Sequence, residues 1–169
     1  MSLVRALPKM ISMIPSVFGG VHPEDLDKIK EITREAYPSV RQLSTEKLAE
    51  WMQREPGLLL VDVRSAEQFA VSHLKGAVNL QTPEQITEAI KQQQPLKTVL
   101  YCSVGFRSSR LAQAVPEDKS AEVWNLGGSI FQWANEGRAL FRGKTPVQKV
   151  HPYGRRWAGL LKPGLASGG

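Results

Sequence analysis

Residues 58–64 read LLLVDVR, and this short stretch limits the fold more tightly than any total. A continuous apolar run of strand length, closed by a charged pair, suits a strand covered on both faces. The strand candidates AVNL (77–80), KTVLYCS (97–103) and AEVWNL (121–126) follow at intervals. Between them lie the helical stretches TPEQITEAIKQQ, RSSRLAQAV and GSIFQWANEG. Short apolar strands alternating with helices predict an α/β fold, with a central, mainly parallel sheet flanked by helices.

Two more helices precede this unit. HPEDLDKIKEITREAY carries acids in its first turn, as the helix dipole prefers, and Leu26, Ile29 and Ile32 recur at helical spacing before Pro38 ends it. In LSTEKLAEWMQ, Ser44 or Thr45 is placed to cap, with Leu48, Trp51 and Met52 on one face. The organisation expected is an N-terminal extension over 1–42 containing a helix, a domain over 43–138, and a Pro/Gly-containing basic tail over 139–169. From Gly143 onward that tail reads as irregular. The first residues, MSLVRALPKMISMIPSVFGG, have an apolar stretch broken by Lys9 and Pro15. They read as an amphipathic surface helix or a disordered lead-in and not as a secretory signal.

The formal charge of +6 is concentrated at one end. No acid follows Glu136, whereas Arg138, Arg142, Lys144, Lys149, Arg155, Arg156 and Lys162 do; the remainder is close to neutral. Such a stretch can touch nucleic acid, anionic lipid or an acidic partner. The simpler expectation is a solvated terminus, with no nucleic acid bound. No apolar run approaches the roughly 20 residues that span a bilayer, and the expected location is cytoplasmic.

The chain has one cysteine, Cys102, in VLYCSVGFRSSRLA (99–112). A single thiol excludes an internal disulfide and leaves no basis for a zinc site; neither metal nor cofactor is expected. In the topology above, Cys102 lies at the carboxyl end of a central strand, where open α/β sheets bind ligands. The helix starting near Arg107 and Ser108 brings unpaired N–H groups. Gly105 can take positive φ and turn the loop's N–H groups inward. Arg107 adds a permanent charge. All three favour thiolate over thiol. A buried filler is the common fate of a free cysteine, but a filler needs no such loop.

Three separated segments resemble one family, the single-domain rhodanese sulfurtransferases. LLLVDVRSAEQFAVSHLKGAVNL (58–80) is similar to its D-V-R…E-F…H-I-x-G-A-x-N segment, YCSVGFRSSRLA (101–112) to its Y-C-x-x-G-x-R-S loop, and NLGGSIFQW (125–133) to its closing L-x-G-G…W. The resemblance covers about residues 43 to 138. It implies the rhodanese-like three-layer fold and a sulfurtransferase of the thiosulfate:cyanide type. Cys102 would take a sulfane sulfur from thiosulfate or a thiol persulfide and pass it to cyanide or a thiol. Ser103, Val104, Gly105, Phe106, Arg107 and Ser108 would form the loop that holds donor and persulfide. Only Arg107 is cationic there, and Val104 and Phe106 are apolar, so a thiol persulfide rivals thiosulfate as donor. A protein acceptor is a further candidate partner.

Asp62 and Arg64 are candidates for supporting roles, Asp62 because it too ends a strand near the active face. Arg64 is placed to pair with Glu67, and His73 and Asn79 to fix loops. Gly127 and Gly128 can admit backbone to the pocket or simply make a turn; Trp133 reads as core.

Two other enzyme classes fit less well. A phosphatase loop of the cell-cycle dual-specificity type is one residue longer between cysteine and arginine. A cysteine protease needs a partner histidine, and His22, His73 and His151 sit in no such motif. The alternative from a different class is an adaptor that carries a persulfide or responds to redox state only with a partner protein.

Overall fold

The computed structural model describes residues 20–116 and 122–168. The expectation for the first twenty residues falls almost wholly outside this range. Five strands form one parallel sheet: β1 (Arg41–Leu43), β2 (Leu58–Asp62), β3 (Val78–Asn79), β4 (Lys97–Tyr101) and β5 (Glu122–Leu126), in the order β1-β5-β4-β2-β3. The helices are α1 (Asp25–Ala36), α2 (Thr45–Arg54), α3 (Ala66–Val71), α4 (Pro83–Gln93), α5 (Phe106–Ala114) and α6 (Ser129–Asn135). This is the expected α/β arrangement, helices flanking a central parallel sheet.

The chain writes these boundaries locally. Ser44 caps α2, its side chain accepting from the Lys47 N–H. Ser65 with Gln68 and Thr82 with Gln85 make reciprocal capping boxes at α3 and α4. On the central strands the period of two sorts residues to opposite faces. Leu60, Val99 and Tyr101 enter one core with Leu26, Ile29, Leu48 and Ile130. Leu59, Val61, Leu100 and Cys102 enter the other with Ile86, Leu111 and Val115. Both faces are covered, so the apolar runs are continuous.

Asp62 and Arg64 are both fully buried and pair with each other. Arg64 Nη2 donates to Asp62 Oδ2 at 2.7 Å, and Nε to Oδ1 at 2.9 Å. The expected partner, Glu67, is exposed in the first turn of α3, while Arg64 turns back onto Asp62 and gives a further bond to the Ser72 carbonyl. Asn79 and His73 do fix loops. Asn79 Nδ2 donates to the Asp62 and Arg64 carbonyls, and His73 Nε2 accepts from the Gly143 N–H.

The tail expectation is corrected. Residues 140–147 form a hairpin of β6 (Leu140–Arg142) and β7 (Thr145–Val147), and α7 (Arg155–Ala158) follows. Leu140, Val150, Trp157, Leu160 and Leu161 are buried in the core shared with α1, α2 and α6. Asn135 Nδ2 donates to the Leu160 carbonyl, and its Oδ1 accepts from the Lys162 N–H. A Cβ on Gly159 would collide with the Val21 carbonyl, so the segment lies flat against the entry to α1. Enough apolar surface is covered to offset the entropy of ordering a Pro- and Gly-containing stretch. Its cations stay exposed, as expected.

Candidate active site

The sheet reverses direction of growth at β2 and β4: β3 is added beyond β2, and the chain returns to place β4 on its other side. Loops at the carboxyl ends of these strands therefore border the crevice where such sheets take ligands. Cys102 is the residue after β4, and α5 starts at Phe106, one residue earlier than the sequence suggested.

The turn from Cys102 to Phe106 is held from outside. The Cys102 N–H donates to Ser129 Oγ at 3.1 Å, and Ser129 Oγ donates to the Leu126 carbonyl. The Ile130 and Phe131 N–H groups donate to the Cys102 and Ser103 carbonyls. The first turn of α6 thus spends its free donors on the loop. Gly105 has φ +104°, and a Cβ there would press on the Leu126 carbonyl and on Asn125. Glycine is required on both counts.

Around Cys102 Sγ the donors converge. The Gly105 N–H lies 3.2 Å away and Ser108 Oγ 3.4 Å away. Burial pushes this thiol's pKa up, but the Arg107 charge, the Ser108 hydroxyl and the Ser108 and Gly105 N–H groups outweigh it. The net displacement is downward, toward thiolate. Ser103 Oγ and Arg107 Nε are buried and have no hydrogen-bond partner among the described residues. Two polar groups of the loop are therefore unclaimed by the fold.

The predicted loop residues divide by role. Gly105, Arg107 and Ser108 act on the sulfur, by N–H groups, charge and hydroxyl respectively. Val104 is buried in the main core, and Phe106 packs edge-to-face on Tyr37 at 5.1 Å between centroids. Their apolar side chains support the turn by packing. Asp62, in register with Tyr101 on the neighbouring strand, and Arg64 form a buried ion pair. Gly128, with φ +70°, turns the chain into α6. Sequence reasoning missed Ser129, which anchors Cys102, and Asn125, whose Oδ1 lies 2.6 Å from Ser108 Oγ. It also missed Gln42, which accepts from Asn125 Nδ2 at 2.7 Å.

A separate cleft of about 660 Å³ is lined by Phe69, His73, Lys75, Phe141 and Lys144, and no loop residue borders it. Among the described residues, no group of three or more His, Cys, Asp or Glu is arranged to hold a metal ion. No helix among them is long and apolar enough to cross a membrane.

The Rhodanese-like domain family model matches residues 44–136, just over half of the chain. The chain belongs to the rhodanese-like domain family. Among curated proteins it is 28% identical over 92 residues to the tRNA uridine(34) hydroxylase of Prochlorococcus marinus, covering 48% of this chain and 30% of that one. It is 26% identical over 129 residues to the enzyme of that name from Acaryochloris marina, covering 68% and 42%. The chain thus spans less than half the length of these relatives. Among solved structures, the thiosulfate sulfurtransferase of Pseudomonas aeruginosa superposes with a TM-score of 0.59 at 15% identity, over 73% of this chain and 24% of that one. A rhodanese-related protein of Thermoplasma volcanium gives 0.50 at 18%, over 60% and 98%. At these identities the likeness is one of fold. The rhodanese family supports a sulfur-related function.

Proposed function

We propose that this rhodanese-like domain is a sulfurtransferase in which Cys102 carries a sulfane sulfur as a persulfide. The observation that carries the reading is the convergence of the Gly105 N–H, the Ser108 hydroxyl and the Arg107 charge on one buried sulfur. A thiolate held there needs no general base. With thiosulfate as donor, Cys102 Sγ attacks the outer sulfur, a new S–S bond forms, and sulfite leaves with the electron pair of the broken bond. A thiol persulfide serves likewise, the thiolate leaving. The terminal sulfur of the Cys102 persulfide is then attacked by cyanide or a thiolate. Thiocyanate or a new persulfide departs, and the Cys102 thiolate returns. Fixed N–H donors and a fixed cation hold the anionic persulfide with little reorganisation.

The loop, one residue short of a phosphatase loop, suits a sulfur atom better than a tetrahedral phosphate. Incubation with thiosulfate and cyanide tests the reading. Thiocyanate is expected from the wild-type protein and not from Cys102→Ser, and aryl phosphate is expected to remain unhydrolysed. Thiocyanate from both proteins, or phosphate release instead, contradicts it.

A second reading is favoured by the basic C-terminal segment, whose Arg142, Lys144, Lys149, Arg155, Arg156 and Lys162 form no ion pair among the described residues. In it the domain is a persulfide-carrying or redox-responsive adaptor that works only on a partner macromolecule. Thiocyanate formation appearing only after a partner is added is the outcome that selects it.

A further inference from the structure

Arg107, the one cation of the Cys102 loop, does not stand alone. The ring of Tyr153 lies against its guanidinium, 5.7 Å from centroid to Cζ. Tyr153 belongs to the C-terminal segment, outside the residues that match the family model. Its backbone sits at φ +66°, a conformation unfavourable for a bulky side chain. Two contacts maintain it: the Tyr153 N–H donates to His151 Nδ1 at 3.0 Å, and the ring packs edge-to-face on the buried Trp157, which anchors to the core. A strained, partly exposed tyrosine held over the loop arginine is a local cost that the fold offsets elsewhere.

The contact leaves Arg107 only half satisfied. A ring takes one face of the guanidinium and none of its N–H donors. Arg107 forms no salt bridge among the described residues, and its Nε has no hydrogen-bond partner there. Two and three residues after Tyr153 come Arg155 and Arg156, both exposed and both without an ion pair among those residues. The chain has no acid beyond Glu136 to neutralise them.

We propose that Tyr153 is a specificity-determining residue of the Cys102 site: its ring fixes the Arg107 guanidinium so that the N–H donors the fold leaves unclaimed receive the anionic group of a small sulfur compound, with the exposed Arg155 and Arg156 adding positive charge two and three residues further along the chain. This rests on the sulfur-transfer reading above. The ligand class is a sulfur donor or acceptor bearing sulfonate, carboxylate or phosphate, in preference to a neutral thiol. Tyr153 touches Arg107 and not the reacting sulfur, so it acts by positioning. Loosening the arginine penalises anionic ligands and leaves neutral ones nearly unaffected.

The test uses the full chain with thiosulfate as anionic donor, glutathione as anionic acceptor and 2-mercaptoethanol as neutral acceptor. Tyr153→Ala, Tyr153→Phe and the double variant Arg155→Gln/Arg156→Gln are compared with wild type. For Tyr153→Ala, KM for the anionic compounds rises about three- to tenfold, the scale of one partly desolvated cation–π contact, while KM for 2-mercaptoethanol stays within about twofold. The pH profile of Cys102 alkylation moves upward with it, because Arg107 no longer holds its place. Tyr153→Phe, which keeps the ring, behaves as wild type. The double arginine variant raises the anionic KM without moving the alkylation profile. A change in the thiosulfate arm alone identifies the donor as the ligand of Arg107, and one in the glutathione arm alone the acceptor. Equal changes for charged and neutral compounds overturn the inference, as do unchanged constants or a Tyr153→Phe variant that behaves like Tyr153→Ala. A wild-type protein that never acquires sulfur is a separate result, seen before any variant is compared. It removes the sulfur-transfer reading, and this inference with it.

Discussion

Ser108 Oγ lies 2.6 Å from Asn125 Oδ1, a closer acceptor than Cys102 Sγ at 3.4 Å. A hydroxyl has one proton and two acceptors compete for it here. The hydroxyl is thus shared, and the sulfur is served besides by the Arg107 charge and the Ser108 and Gly105 N–H groups. Turning the Asn125 amide over would free the proton for a thiolate. Gln42, which accepts from the other end of that amide and gives its own Nε2 to Ser109 Oγ, would have to turn with it. Ser108→Ala should therefore slow alkylation of Cys102 near pH 7 by about three- to tenfold, the scale of one hydrogen bond to a charged atom. Iodoacetamide labelling against pH reads this directly, and a rate unchanged across the profile contradicts it.

The lowered Cys102 pKa is also a statement about stability. The folded protein releases the thiol proton at lower pH than the unfolded chain, whose cysteine titrates near about 8.5. Between those two values the unfolded state binds more protons, so stability rises with pH. The contribution is fully present above the unfolded value and is lost as pH falls through the folded one. Wild type and Cys102→Ser melted in parallel from acid to mildly alkaline pH should diverge in that window, wild type gaining on the variant. A constant difference contradicts the assigned direction.

Asp62 and Arg64 are fully buried and serve each other. Removing one partner leaves an uncompensated buried charge, which costs about 3–5 kcal/mol. Asp62→Ala is expected to lower the unfolding free energy obtained from urea denaturation by that amount and to spare the alkylation pH profile of whatever fraction remains folded. A stable Asp62→Ala protein with a displaced profile would instead place the carboxylate in the chemistry.

The C-terminal segment makes a different demand. A dispensable tail can be cut away, but Leu140, Trp157 and Leu160 are core residues here. A chain ending at residue 138 should lose cooperative unfolding, and Trp157→Ala alone should cost about 3–5 kcal/mol. Calorimetry distinguishes this from a tail, whose removal leaves the transition intact.

What the sequence revealed follows from how local each signal is. LLLVD and KTVLY announce buried parallel strands because each carries its burial pattern within five residues. The Cys102 loop was legible because cysteine, positive-φ glycine and arginine fall within the six residues 102–107. Ser129 was not, since its bond to Cys102 spans 27 positions and a serine after two glycines reads as a turn. Gln42 and Asn125 lie 83 positions apart and meet only because β1 joins the sheet beside β5. The tail misled because its apolar residues come in runs of one to three broken by prolines, glycines and cations, with neither helix nor strand period. Only the core they enter shows their purpose.

The central claim is that Cys102 carries sulfur, and intact-protein mass spectrometry tests it most directly. The full chain is incubated with thiosulfate and separately with a low-molecular-weight persulfide, beside Cys102→Ser. The account predicts a gain of one sulfur atom, reversed by cyanide and missing from the variant, with the preferred donor giving the fuller conversion. An unchanged mass with both donors, or an equal gain on Cys102→Ser, would contradict it.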